Sequence, residues 1–211
     1  MHKYYFMQKA VKQLTVFGAI TGIAGILIYL MIVFVKLPSP IVFLLAILFP
    51  LCLLIFFYSL KEYTAFRSEN LFNRLAFLFA LMACQTLALM LAIQIGVDAG
   101  LEKQSALYKH QSFASMLRLI DLGLDVAWDV LISMSMLFWT LALWKINELK
   151  WWGLVNGLLG AGLLILNLLT FPVPPADAGL FDLGPVISLF WMLWQLRMLK
   201  IGIGLKQDTA R

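Results

Sequence analysis

Residues 41–60 read IVFLLAILFPLCLLIFFYSL, an apolar run without a single charged side chain and without polar alternation. The hydrocarbon core of a bilayer is about 30 Å thick, and a helix crosses it in about 20 such residues. Comparable runs recur along the chain. Segments 15–35, 41–60, 74–96, 119–144, 153–171 and 182–199 all qualify, the last with the shortest uninterrupted stretch because Asp182, Pro185, Gln195 and Arg197 lie near its ends. Hydrophobic residues make up 63% of the 211 and charged residues 13%, against roughly 45–50% and 25% in a soluble domain. One soluble core could not enclose that much apolar surface. Period-2 alternation is missing, so no barrel can form and backbone polar groups must be satisfied within helices. The expected fold is all-α: one transmembrane domain over residues 1–211, a polytopic bundle of six transmembrane helices in contact with the lipid bilayer.

Charge sets the expected orientation, because cytoplasmic loops carry the excess of Lys and Arg. With the N-terminus inside, only Lys36, Lys103, Lys109 and Arg118 of the 16 basic residues fall outside. An even number of spans returns the C-terminus to the cytoplasm. The acids Asp98, Glu102, Asp121, Asp125, Asp129, Asp177 and Asp182 fall in outer loops or outer helix halves. The net charge of +5 therefore reports topology and no nucleic-acid partner, since the basic residues are dispersed and no groove-reading motif occurs. The first span has no small-residue cleavage site after it and reads as an uncleaved signal anchor. Residues 97–118, VDAGLEKQSALYKHQSFASMLR, form the longest connection. They are expected as a solvated outer loop or as an interfacial helix over the bundle mouth.

Small residues let helix backbones approach in lipid. Gly18, Gly22 and Gly25 repeat on the first span, and Gly153, Gly157 and Ala161 on the fifth, with Gly160 and Gly162 beside them. These are expected contact faces within the bundle, or else the seam of a homodimer. Pro50 lacks a backbone donor in mid-span and is expected to kink the second helix. Cys52 and Cys84 lie inside spans and read as small buried hydrophobes rather than a disulfide or a metal pair.

The fourth span carries the chemistry. In RLIDLGLDVAWDVLIS, Asp121, Asp125 and Asp129 stand four residues apart, and steps of four rotate only about 40°, so the carboxylates form one stripe. Arg118 joins it, and Ser133 and Thr140 extend a polar track toward the cytoplasm. At about 1.5 Å per residue, Asp129 lies roughly 12 Å deeper than Asp121. A charged Asp at helix centre costs about 2.5–3.5 kcal/mol on insertion scales, so such residues face the interior or a watery cavity. Asp121 also reads as a helix-start acid beside Arg118, favoured by the macrodipole. Matching depths across the bundle adds Gln94, Asn167, Thr170 and Asp182, with Trp128 alongside. Stacked acids in a low-dielectric setting need a counter-charge, which a bound cation or a shared proton supplies. His2 and His110 stand on opposite sides of the membrane, and no P-loop, G-x-S-x-G or H-E-x-x-H occurs. No catalytic residue, metal site or cofactor is assigned.

The pattern N-LLTFP-PPA-aG--DlGP over residues 167–185, with DLGLDVAWD in the fourth span, resembles small bacterial integral membrane proteins grouped under domains of unknown function. The similarity covers the C-terminal third, residues 150–199. It implies a bacterial inner-membrane location without an established activity, and it marks Asn167, Pro172, Pro175, Asp182, Gly184 and Pro185 as one outer structure above the acidic helix. In architecture the chain is also similar to the substrate-binding subunits of energy-coupling-factor vitamin transporters, by size, six helices and both ends inside. The leading expectation is an outward-facing acidic pocket built from Asp121, Asp125, Asp129, Asn167, Asp182, Gln94, Trp128 and Arg118. It would bind a small cationic or polar ligand, or protons, for transport or sensing. The alternative is an accessory subunit whose acids meet a partner's basic residue in a membrane complex. A membrane enzyme comes third.

Overall fold

The computed structural model describes residues 2–68, 70–102 and 111–204. They form six helices: α1 His2–Phe34, α2 Ser39–Ser68, α3 Leu71–Glu102, α4 Gln111–Leu143, α5 Lys150–Thr170 and α6 Gly184–Gly204. All six are long and apolar enough to cross a membrane, and the chain is a multi-pass membrane protein. Helices α1 to α4 have 33, 30, 32 and 33 residues. That exceeds the roughly 20 a bilayer core requires, so their ends project beyond it. The expected spans thus sit inside longer helices, and α2 runs continuously through Pro50.

Two expectations change with these boundaries. Residues 97–102 close α3 and 111–118 open α4, so the described part of the 97–118 connection extends the flanking helices. Residues 103–110, with Lys103, Lys109 and His110, lie outside the described residues, as do Glu69, Lys206, Asp208 and Arg211. Because α4 begins at Gln111, Asp121 is nearly three turns inside it, beyond the first turn where the macrodipole acts. The helix-start role for Asp121 is therefore withdrawn. Helix α6 begins at Gly184 and not at residue 182, because the Asp182 carboxylate accepts the Gly184 N–H at 2.8 Å and Pro185 occupies the first turn.

Each helix packs on its neighbour in sequence, and α1 packs on α6, so the six close into a ring. Several glycines sit at close helix contacts. A Cβ on Gly18 would lie 2.0 Å from the Ser59 hydroxyl of α2, and one on Gly157 would lie 2.2 Å from the Thr140 hydroxyl of α4. Gly22 admits Gln195 of α6, and Gly202 of α6 admits Val16 of α1. Both stripes are thus occupied by contacts within the chain. The thin seam between α5 and α6 is bridged by long side chains: Trp191 donates its indole N–H to Asn156 at 3.1 Å, and Trp152 packs on Phe190. In the half of the bundle that carries the termini, the ring is filled solidly by Phe56, Phe57, Leu60, Met136, Trp139, Leu143, Trp194 and Met198. The opposite half is not filled in the same way.

Candidate functional site

In that opposite half, all six helices and the α5–α6 connection enclose a cavity of about 380 Å³. Helix α1 contributes Ile26, Tyr29, Ile32 and Val33; α2 adds Phe49 and Leu53; α3 adds Leu87, Met90, Leu91 and Gln94. Asp125, Trp128, Asp129 and Ile132 come from α4, Leu163 from α5, and Ile187, Ser188 and Trp191 from α6. Pro174, Pro175 and Ala176 lie over it, and both prolines are buried. The connection is folded on itself, with Val173, Ala178, Gly179 and Leu180 donating backbone bonds to Thr170, Pro174, Ala176 and Pro175. Gly179 has φ +77°, a left-handed conformation that glycine adopts without a Cβ penalty.

The spacing of four on α4 delivers two of its three acids to this cavity. Asp129 is 7% exposed, and the Asn167 amide of α5 donates to its Oδ2 at 2.8 Å. Its other oxygen receives no bond from the described residues. Asn167 stands behind Asp129 and off the wall, held by a second bond to the Leu163 carbonyl at 3.0 Å. Asp125, one turn nearer the mouth, is half-buried and makes no hydrogen bond or ion pair with a described residue. Among the described residues, the charges within its reach are those of Asp121, Asp177, Asp182 and Asp129, all acidic. Asp182 lies at the exposed rim with one oxygen on Gly184.

Asp121 and Arg118 belong elsewhere. They line a second cleft with Asp98, Ser115, Leu122 and Asp177, where the Gln94 amide donates to Asp121 Oδ2 at 3.2 Å. Gln94 borders both spaces, so the cleft and the cavity share that side chain as a partition. Arg118 is exposed. Gln85 lies on the exposed side of α3, and the Thr170 hydroxyl is engaged by the Leu166 carbonyl.

Of the polar track expected below Asp129, Thr140 ties α4 to α5, whereas the buried Ser133 hydroxyl has no hydrogen-bond partner among the described residues. Thr140 donates to the Gly153 carbonyl of α5 at 2.7 Å, Ser135 to the Ala76 carbonyl of α3 at 2.8 Å, and Asn156 to the Met136 carbonyl at 3.0 Å. The glycines of α5 bring its backbone close enough to α4 for the Thr140 and Asn156 bonds. Among the described residues no group of three His, Cys, Asp or Glu is placed to hold a metal ion, and Cys52 and Cys84 are both free.

Sequence reading missed Tyr29, Phe49, Ser188 and Trp191 on the wall. Tyr29 stacks on Phe49 with centroids 5.2 Å apart and lies within electrostatic reach of Asp182 and Asp125. A phenol inside an apolar span was a usable signal for Tyr29. Phe49 and Trp191 carry none, because only ring closure brings α2 and α6 to α4. At the other end of the bundle, Tyr63 and Arg67 of α2 both donate to Glu148 Oε1, in the α4–α5 connection. Comparison of the chain with protein-family models, curated proteins and solved structures found no match.

Proposed function

We propose that this is a bacterial inner-membrane protein with both termini in the cytoplasm, whose outward-facing cavity binds a small cation, or protons, for transport or sensing. The observation that carries the reading is the pair Asp125 and Asp129 on the wall of a cavity, facing no basic side chain of the described chain. A carboxylate kept in such a place is costly unless a counter-charge or water completes it. In this reading Asp125 and Asp129 hold the cation, Asn167 fixes Asp129, Trp128 forms wall, and Asp182 gives the rim its charge. Gln94, Asp121 and Arg118 shape an outer vestibule. The positive-inside pattern supports an outward orientation for that end of the bundle, and in that orientation the solid packing of the terminal half would close the cavity toward the cytoplasm. The accessory-subunit reading is weaker because the acids face the interior of the ring, away from the lipid side where a partner helix would reach them.

Charge-selective thiol labelling tests this directly. With Cys52→Ala and Cys84→Ala as background, Ser188→Cys in right-side-out vesicles should react faster with a cationic membrane-impermeant methanethiosulfonate than with an anionic one of similar size. Adding Asp125→Asn should shrink that preference. Equal rates for the two reagents, or labelling only from the cytoplasmic face, would refute the proposal.

A further inference from the structure

The walls of the cavity say more than its charge. Two carboxylates, Asp125 and Asp129, stand one turn apart on α4 and a third, Asp182, lies at the rim, while the remainder is mainly apolar and aromatic. Trp128 stands between the two acids in sequence, and Tyr29 and Phe49 stack into a continuous aromatic surface contributed by α1 and α2. The Trp191 indole N–H is already engaged by Asn156, so its ring presents only carbon surface to the cavity.

Three kinds of cation fit these walls badly. A hard metal ion wants roughly six to eight oxygen ligands, and no group of three candidate ligands is assembled among the described residues. A proton needs no room, yet the space measures about 380 Å³, within the roughly 300–1,000 Å³ usual for organic ligands. A short dication such as a diamine would leave its second ammonium among hydrocarbon unless it reached Asp182, which lies out at the exposed rim with one oxygen on the Gly184 N–H.

We propose, resting on the reading of the cavity as a cation site, that its ligand is an organic monoammonium ion. Its nitrogen lies on Asp125 and Asp129, and its apolar body lies between Tyr29, Phe49, Trp128 and Trp191. The ammonium donates to Asp125 and to the free oxygen of Asp129. The aromatic faces add attraction for the charge, and the hydrocarbon part replaces poorly bound water.

The probe is 2-phenylethylammonium chloride, titrated against the full-length protein in lipid nanodiscs and followed by tryptophan fluorescence. A saturable change is expected. Asp125→Asn and Asp129→Asn should each weaken it by about ten-fold or more, and Trp128→Leu by about three- to thirty-fold, the range of a desolvated cation–π contact. The neutral analogue 2-phenylethanol should bind about ten-fold or more weakly than the amine, as expected when a buried charged partner is left unmet. Size-exclusion profile and thermal midpoint establish folding of each variant, and Asp125→Asn is the decisive one because Asp125 makes no bond that supports the fold. Equal binding of amine and alcohol would overturn the proposal. So would a saturable, Asp125-dependent response to Na⁺, Ca²⁺ or 1,4-diaminobutane with none to the amine, an outcome that leaves the cation site standing. Absence of an aspartate-dependent response to every cation tried would overturn both.

Discussion

At Asp129 the chain buries a carboxylate among apolar side chains and provides, among the described residues, a single donor, the Asn167 amide. That amide is itself fixed by the Leu163 carbonyl one turn back, so one oxygen of Asp129 is held and the other is left to the cavity. Replacing Asn167 by Leu strands the carboxylate and should cost about 1–3 kcal/mol, the usual penalty for an unsatisfied buried group. A lowered thermal midpoint in detergent would register it. Asp129→Asn, which can still bond to Asn167, should lose far less, and equal losses in the two variants would show that the pair does not organise this part of the fold. Asp125 and Asp129 were legible in the sequence because steps of four put acids on one helix face at a depth where acids are expensive. Asn167 was legible through depth matching and as the first residue of the 167–185 pattern. Tyr29, Phe49 and Trp191 were not, since their approach depends on which helices neighbour one another, and no local pattern states that.

For whole helices the glycines decide how close two axes come, and they do so unequally. Gly157 lies against Thr140, and an added Cβ would stand 2.2 Å from its hydroxyl. Gly157→Ala must therefore displace the bond from Thr140 to Gly153, at about 1–3 kcal/mol for overpacking of this kind. Gly123, on α4, faces open space, and a Cβ added there would meet nothing within 4 Å. Gly123→Ala should be neutral, or stabilising by up to about 1 kcal/mol from helix propensity. Thermal midpoints of the two variants, measured in one detergent, check the contrast; similar shifts would mean that α4 and α5 are not seated on this face. The repeats of small residues announced such faces in the sequence, but not their partners. The length of the helices was the least legible property. Hydropathy marks where lipid begins and ends, whereas α3 and α4 continue past it because the flanking residues hold no proline that would stop them.

Across the molecule the two ends of the ring differ in how they are held. The cavity end is roofed by a proline-rich connection, while the terminal end is filled by large side chains and tied by Glu148. Burial acting alone would raise the Glu148 carboxyl, but the hydrogen bonds from Tyr63 and Arg67, with the charges of Arg67 and Arg197, hold it below the ordinary value of 4.5. A carboxyl lowered on folding binds more protons in the unfolded chain, so stability rises with pH across the interval between its two values. The Glu148 contribution is therefore fully present above pH 4.5 and fades as pH falls through its lower folded value. Glu148→Gln removes that ionisation. The thermal midpoint of the native chain should exceed that of the variant near neutral pH, and the difference should narrow progressively below pH 4.5, while remaining constant from about pH 5 to about pH 7, where Glu148 is ionised in both states. Taking the difference between the two proteins cancels the titration of the cavity acids, which both retain. A gap that stays unchanged down to the acid limit would show that Glu148 is held by packing of the α4–α5 connection, through Ile146 and Leu149, and not by its charge.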